Sequence, residues 1–346
     1  TIPAPTRTTI GWAAIKAAAR VGHGNMRFFR GLLILVAIVA ILLAGAIAAF
    51  RDPDVPAAML VAKYGQGASQ FITLPSGANV HFRDQGQRLG PVLVLLHGSN
   101  ASLHTWEPWV AALGDKFRVI SIDLPGHGLT GPVPGDDYSQ AGMTKFVYDF
   151  TAALKLAPFA LAGNSMGGGV AARFAIEHPE RLTNLILVDA GGMPTAVERD
   201  PGLGFRLARM PVIQNIMLYV TPRSLFEDGL KQAIADDTLV TPAMVDLYWE
   251  LNRREGTRAA SLKRFQTPNE TYVQDNAAKI TTPTLILWGA EDTLTPVDMG
   301  EAFAGAIKNA NLIVYDNVGH LPMEEVADQS ARAVREFLSP APVAPS

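Results

Sequence analysis

Gly163-Asn164-Ser165-Met166-Gly167 constrains this chain more than any other stretch. It reads Gly-x-Ser-x-Gly, and its setting matters as much as its letters. Pro158-Phe159-Ala160-Leu161-Ala162 before it is an apolar run of strand length. Gly168-Gly169-Val170-Ala171-Ala172-Arg173-Phe174-Ala175 after it suits the opening of a helix. A serine on a sharp strand-to-helix turn is pushed outward, and small flanking residues relieve the crowding. The helix that follows offers a free backbone N–H and a positive dipole end where negative charge would develop. The pattern predicts that Ser165 is a nucleophile.

A serine hydroxyl needs a base, and the base needs a group to orient it. A strand-turn-helix serine of this type takes its partners in chain order, an acid and then a histidine. Thr284 to Gly289 reads as a buried strand with Ala290-Glu291-Asp292 in its loop, and Asn311 to Asp316 reads as the next strand with Val318-Gly319-His320-Leu321-Pro322 after it. Asp292 and His320 thus sit at the carboxyl ends of strands, where open α/β sheets place their chemistry.

Of the seven histidines, only His320 follows both the serine and a strand-end acid. His97, His104 and His127 read as structural histidines near the site, His178 as a capping or surface residue, and His23 and His81 as remote. Asp189 also ends a strand after Ser165 and is the rival acid; otherwise it ties down the loop beyond that strand. Asp292 is preferred because Thr293-Leu294-Thr295-Pro296 turns the chain into a helix and holds its loop rigid. Glu291 and Asp316 read as solvated loop charges.

From about Phe71 to Leu338 the chain resembles an α/β-hydrolase-fold serine hydrolase of the esterase or lipase kind. The stretches that carry the resemblance are Leu96-His97-Gly98-Ser99, Asp123-Leu124-Pro125-Gly126-His127-Gly128, the Ser165 pentapeptide with Gly168, Gly289-Ala290-Glu291-Asp292 and Gly319-His320. The resemblance implies a mostly parallel central sheet with helices on both faces, a triad of Ser165, Asp292 and His320, and an oxyanion hole from the backbone N–H groups of Met166 and Ser99. It says little about substrate, because one fold hosts many chemistries. Epoxide hydrolases and haloalkane dehalogenases of this fold carry aspartate at the elbow, and Ser165 argues against both.

A chain of 346 residues holds one large domain or two small ones. Repeated strand-then-helix segments with near-continuous apolar strands predict a parallel sheet covered on both faces. The chain has no cysteine, which excludes disulfides and thiolate metal sites. No phosphate-binding glycine loop, dinucleotide fingerprint or His-Glu-x-x-His motif is present, so neither a metal nor a cofactor is expected.

Gly31 to Phe50 is an uncharged stretch of twenty residues, twelve of them Leu, Ile, Val or Phe. As a helix it rises about 30 Å, the thickness of a hydrocarbon core. At roughly −0.3 to −0.6 kcal/mol each, those twelve contribute about −4 to −7 kcal/mol toward insertion. The stretch is expected to be a transmembrane helix. Arg7, Lys16, Arg20, Arg27 and Arg30 precede it without an acid, whereas Asp52 and Asp54 quickly balance Arg51 after it. The bias places the N-terminus in the cytoplasm and the hydrolase in the periplasm or outside the cell. The rival is a cleaved signal peptide that begins near Met26 and ends near Ala48; the length of the apolar run and the basic segment before it favour a retained anchor.

The remaining organisation follows. Residues 1–30 form a basic cytoplasmic segment, 51–70 a linker with Pro53, Pro56, Gly65 and Gly67, 71–194 and 276–339 the hydrolase core, 195–275 a helical cap, and 340–346 a disordered tail. Candidate pocket residues are Asn100, Met193, Met210, Met217, Phe226, Trp249 and Leu321; the cap residues among them equally suit packing of the cap on the core. The net charge is −3, and +5 in residues 1–30 leaves −8 on the rest, which gives no reason to expect nucleic acid as a partner.

Three functions compete. The first is a membrane-anchored hydrolase of carboxylic esters, with a small-molecule or lipid ester as its partner. The second is a carbon–carbon bond hydrolase of dicarbonyl compounds, a group that Asn164 and the Trp288-Gly289 strand end resemble. The third is a non-catalytic binding protein that kept the fold, which the complete set of triad residues disfavours.

Overall fold

The central strands of this chain, such as Val92 to Leu96 and Thr284 to Gly289, are apolar along nearly their whole length rather than at alternate positions, which requires cover on both faces. The computed structural model describes residues 29–39, 41, 45, 48, 51–197, 206, 210, 213–268 and 270–339. It shows an eight-stranded sheet in the order β1-β2-β4-β3-β5-β6-β7-β8. The strands are β1 (Ser69–Thr73), β2 (Asn79–Gly86), β3 (Val92–Leu96), β4 (Arg118–Ile122), β5 (Phe159–Asn164), β6 (Leu182–Val188), β7 (Thr284–Gly289) and β8 (Ala310–Tyr315). From β4 to β8 every neighbouring pair is parallel, while β2 runs antiparallel to both β1 and β4.

Successive side chains of a strand point to opposite faces, so each central strand feeds two cores. Val94 and Leu96 of β3, Leu161 of β5 and Trp288 of β7 join the face covered by the helices Gln140–Ala153, Met166–Glu177 and Val297–Ala306. Leu93 and Leu95, Ala160 and Ala162, and Leu287 join the opposite face, under Glu107–Leu113 and Ala327–Leu338. Full burial of a Leu or Ile contributes about 1.5–3 kcal/mol, so an all-apolar strand is stable only when neither face is wet.

Between β6 and β7 the described residues form the helices Ile213–Met217, Arg223–Ala233, Pro242–Asn252, Thr257–Gln266 and Tyr272–Asn276. These helices are an insertion between two strands of the sheet, termed the cap below. Residues 198–205, 207–209, 211–212 and 269 of the expected cap lie outside the described residues, as does the tail 340–346.

One expectation for the N-terminal part needs correction, and a second lies partly outside the described residues. Residues 51–70 are not a free linker. Val55 N–H donates to Arg253 O at 2.7 Å, and Asp52 N–H donates to Tyr219 O at 2.9 Å. The helix Ala57–Tyr64 then buries Leu60 against Leu129 and Leu251. Apolar Val55, Leu60 and Val61 outweigh the turn-forming prolines and glycines that made the segment look like a stalk, and the first strand starts at Ser69.

The second concerns Gly31 to Phe50. The chain divides into the units Thr1–Arg51 and Asp52–Ser346. In the first unit residues 29–39 are helical, with Leu33, Leu35 and Val36 more than half exposed. Among the described residues no helix is long and apolar enough to cross a membrane. Much of the expected span, and all of residues 1–28, lies outside the described residues, so the structure does not show the anchor.

Candidate active site

Ser165 sits directly after β5, and the strand's last residue hands over to the helix Met166–Glu177 with no connecting loop. Its backbone pays for that corner with φ 52° and ψ −117°, a conformation that side-chain-bearing residues rarely adopt. Three backbone bonds hold it there: Ser165 N–H to Val188 O at 3.0 Å, and Gly169 and Gly191 N–H to Ser165 O at 3.1 and 2.8 Å. The glycines are sterically required. A Cβ on Gly163 would lie 2.2 Å from Gly167 O, and one on Gly167 would lie 2.5 Å from both Leu96 O and His97 O. The Ser165 hydroxyl does not cap its own helix and faces the cavity.

His320 is buried in the loop after β8, and Asp292 in the loop after β7. His320 Nδ1 lies 2.6 Å from Asp292 Oδ2. The loop chemistry fixes the carboxylate: Asp292 Oδ1 accepts from the N–H groups of Leu294 and Thr295 at 2.7 and 3.0 Å, and Oδ2 accepts from Thr295 Oγ at 2.6 Å. Burial alone would raise the Asp292 carboxyl, but the nearby His320 charge and these donors outweigh it and hold the group ionised below its ordinary value. A carboxylate on Nδ1 fixes that nitrogen as N–H and leaves Nε2 to act as base.

The His320 loop is held from two further sides. Its backbone N–H donates to Ala233 O at 2.6 Å, at the end of a cap helix. Glu325 accepts from Gly319, Leu321 and Ala235 N–H groups at 2.8 to 3.1 Å. The Asn164 side chain is buried, and its amide donates to Val188 O and His320 O at 3.2 and 3.0 Å, bracing the Ser165 turn to the His320 loop.

Asp189 follows β6 with φ 43° and is fully buried. Its Oδ1 accepts from Gly289 N–H at 2.9 Å. Burial, and then the negative Asp292, push its carboxyl well above the ordinary range. Asp189 therefore ties down the loop and does not touch the imidazole. Asp189, Asp292 and His320 also form the one cluster of metal-ligand type among the described residues. The His320 Nδ1 atom and both Asp292 oxygens are already engaged with protein partners, which leaves that cluster ill suited to a cation.

A cavity of about 1030 Å³ opens on Ser165 and His320 between core and cap. Ser99 and Met166 line it, as do Asn100, Met193, Met217, Phe226 and Leu321 of the candidate pocket residues. Two others do not. Met210 is 48% exposed, and Trp249 points at the backbone, its ring nitrogen donating to Thr221 O at 2.8 Å beneath Arg253. Three other histidines have partners elsewhere: His97 Nε2 accepts from Leu124 N–H at 3.0 Å, His81 pairs with buried Asp123 at 2.6 Å, and His104 bonds Glu107 at 2.6 Å.

Sequence reasoning missed Arg264. It stands on the cap helix Thr257–Gln266, lines the cavity and donates to Ser99 Oγ at 2.5 Å and Asn100 Oδ1 at 3.1 Å. Burial lowers its guanidinium to about 10, so it stays charged at neutral pH. Nothing in the sequence sets it apart from Arg258 or Lys263 on the same helix.

Residues 91–326 match the family model described as the alpha/beta hydrolase fold. The chain belongs to the alpha/beta hydrolase fold family. Within it, the chain is 30% identical over 291 residues to a 2-hydroxy-6-oxononadienedioate/2-hydroxy-6-oxononatrienedioate hydrolase of Cupriavidus pinatubonensis, covering 79% of this chain and 96% of that protein. It is 28% identical over 254 residues to the monoacylglycerol lipase abhd6-A of Xenopus laevis, covering 71% of this chain and 75% of that one. Among solved structures, a membrane phospholipase A described as a bacterial virulence factor superposes with a TM-score of 0.66 at 24% identity, over 90% of this chain and 98% of its own. This alpha/beta hydrolase is thus similar both to a hydrolase of 2-hydroxy-6-oxo-dienedioates and to a monoacylglycerol lipase.

Proposed function

We propose that this alpha/beta hydrolase cleaves carboxylic esters with apolar acyl groups through an acyl-enzyme on Ser165. The observation that carries this reading is the cavity: Ser165 and His320 open on a space of about 1030 Å³ whose walls include Met193, Met217, Phe226 and Leu321. His320 Nε2 takes the Ser165 proton as Oγ bonds to the ester carbonyl carbon. The carbonyl oxygen becomes an oxyanion between the N–H groups of Met166 and Ser99. The imidazolium, steadied by Asp292, gives its proton to the departing alkoxide, and the C–O bond breaks. Water, deprotonated by His320, then attacks the acyl-enzyme, and the acid leaves as Oγ takes its proton back.

Anchoring by Gly31 to Phe50 is part of this proposal. Its support is the length and apolarity of that stretch and the basic bias before it, and it would set a hydrolase of lipid esters at a bilayer surface on the periplasmic or outer side.

A second reading, carbon–carbon bond cleavage of a dicarbonyl acid, is favoured by the Cupriavidus relative and by the cationic Arg264 in the cavity, which suits a substrate carboxylate. A p-nitrophenyl ester series from acetate to octanoate, with a 2-hydroxy-6-oxo-dienoate assayed in parallel and Ser165→Ala as control, separates them. The ester reading expects kcat/KM to rise with acyl length, each buried methylene adding up to about 0.8 kcal/mol to transition-state binding. Faster turnover of the dienoate than of any ester would overturn it.

A further inference from the structure

The oxyanion-hole loop is suspended from the cap. Asn100 has φ 60°, a left-handed conformation that an ordinary residue holds only under outside constraint. Two cap helices supply that constraint. Asn252 of Pro242–Asn252 donates to Asn100 O at 2.6 Å, and Arg264 of Thr257–Gln266 donates to the Ser99 and Asn100 side chains. Arg264 Nη1 also lies 3.6 Å from Met166 Sδ. One guanidinium therefore touches both residues whose N–H groups would bind the oxyanion.

Its charge has no acid to answer it: among the described residues Arg264 makes no ion pair, and its Nε–H is buried without an acceptor. A buried cation contributes most when negative charge appears nearby, which happens in the tetrahedral transition state and not in the bound ester.

We propose that Arg264 is a positioning residue through which the seated cap shapes the oxyanion hole, so that the site is fully competent only with the cap docked. The proposal rests on the Ser165 serine-hydrolase reading. The guanidinium fork fixes Ser99 and Asn100 at once. A lysine keeps the charge but reaches only one acceptor at a time.

The readout is the rate at which a fluorophosphonate probe labels Ser165, because phosphonylation passes through the same hole and needs no knowledge of the natural ester. Arg264→Met is expected to label about ten- to a hundredfold more slowly than wild type, below the full loss of an oxyanion donor. On p-nitrophenyl butyrate its kcat should fall by a similar factor while KM stays within about threefold, a split that a merely structural arginine would not give. Arg264→Lys should be intermediate, and guanidinium ion added at millimolar concentration should restore part of the rate to Arg264→Ala but not to wild type. If Arg264→Met does not fold, Arg264→Lys decides: labelling at the wild-type rate overturns the proposal. Equal labelling of wild type and folded Arg264→Met also overturns it. Failure of wild type itself to label would instead sink the serine-hydrolase reading.

Discussion

Asp189 and Asp292 share one buried space behind His320, with a ligand oxygen of each and a ring nitrogen of His320 all within 4.8 Å of one another. They are not equivalent. Asp292 collects backbone N–H groups, a hydroxyl and the imidazole, whereas Asp189 has a single backbone donor and a charged neighbour. Two carboxylates so close cannot both ionise cheaply, and the donors decide that Asp292 carries the charge. This geometry fits Asp292 as the acid that faces the imidazole and Asp189 as a brace of its own loop.

That assignment predicts opposite sensitivities. Asp292→Asn should lower kcat by about 10⁴, because an amide neither fixes the imidazole tautomer nor stabilises imidazolium. Asp189→Asn puts in a near-isosteric amide that can still accept from Gly289, and kcat should stay within about threefold. Steady-state kinetics of the two variants checks this, and a reversal of the two effects would move the acid role to Asp189.

Ser165→Ala should abolish fluorophosphonate labelling and leave only the slow residual turnover that hole and binding provide. Because the strained φ of 52° belongs to the serine's backbone and not to its hydroxyl, the variant's Tm should match wild type within a few degrees. Equal labelling of both proteins would rule out Ser165 as nucleophile.

Thr295 is the silent member of the site. Its hydroxyl bonds Asp292 Oδ2 at 2.6 Å, lies 3.0 Å from Asp189 O and 3.1 Å from His320 Nδ1. Thr295→Val keeps the shape and removes the donor, and is expected to reduce kcat about tenfold, the effect of roughly 1.4 kcal/mol. A kcat unchanged by this substitution would show that the backbone donors of Leu294 and Thr295 suffice to hold Asp292.

Glu324 lies between core and cap, where Tyr248 OH donates to its Oε1 at 3.1 Å and Thr105 Oγ donates to the same oxygen. Burial lifts its carboxyl to about 7, against the lowering by those two hydroxyls; Glu325 and Glu107 add to the rise. The folded protein then binds this proton more tightly than the unfolded chain does. The associated stability is fully present below the unfolded value of 4.5 and is lost as pH rises toward 7. Relative to wild type, Glu324→Gln should gain Tm between pH 5 and pH 8, as read by calorimetry across that range. A Tm difference that does not change with pH would show that Glu324 titrates normally.

The elbow was legible because its glycines are dictated by backbone contacts under 3 Å, and sterics of that kind leave a mark in sequence. His320 was legible from strand order. Asp292 and Asp189 could be ranked but not separated, since both end strands and the difference lies in which loop turns its N–H groups inward. Arg264 left no mark, because its role comes from a helix of the cap folding back over a loop 164 residues away. Met210 and Trp249 were chosen as apolar cap residues, and composition cannot say which side of a helix meets the cavity.

The N-terminal clamp changes where this enzyme can be cut. Arg258, six positions before Arg264 on the same helix, donates to Asp52 O at 2.8 Å and to Asp54 at 2.6 and 3.0 Å, and Lys63 and Tyr64 hold Glu250 of the neighbouring cap helix at 2.7 to 2.9 Å. A fragment begun at Phe71 would strip those bonds and uncover Leu129 and Leu251, while one begun just before Asp52 would keep them. The unit that can be excised intact therefore starts at Asp52, well before the first strand at Ser69, and a protease working between Asp52 and Ala57 would meet a seam sewn to the cap rather than an open tether.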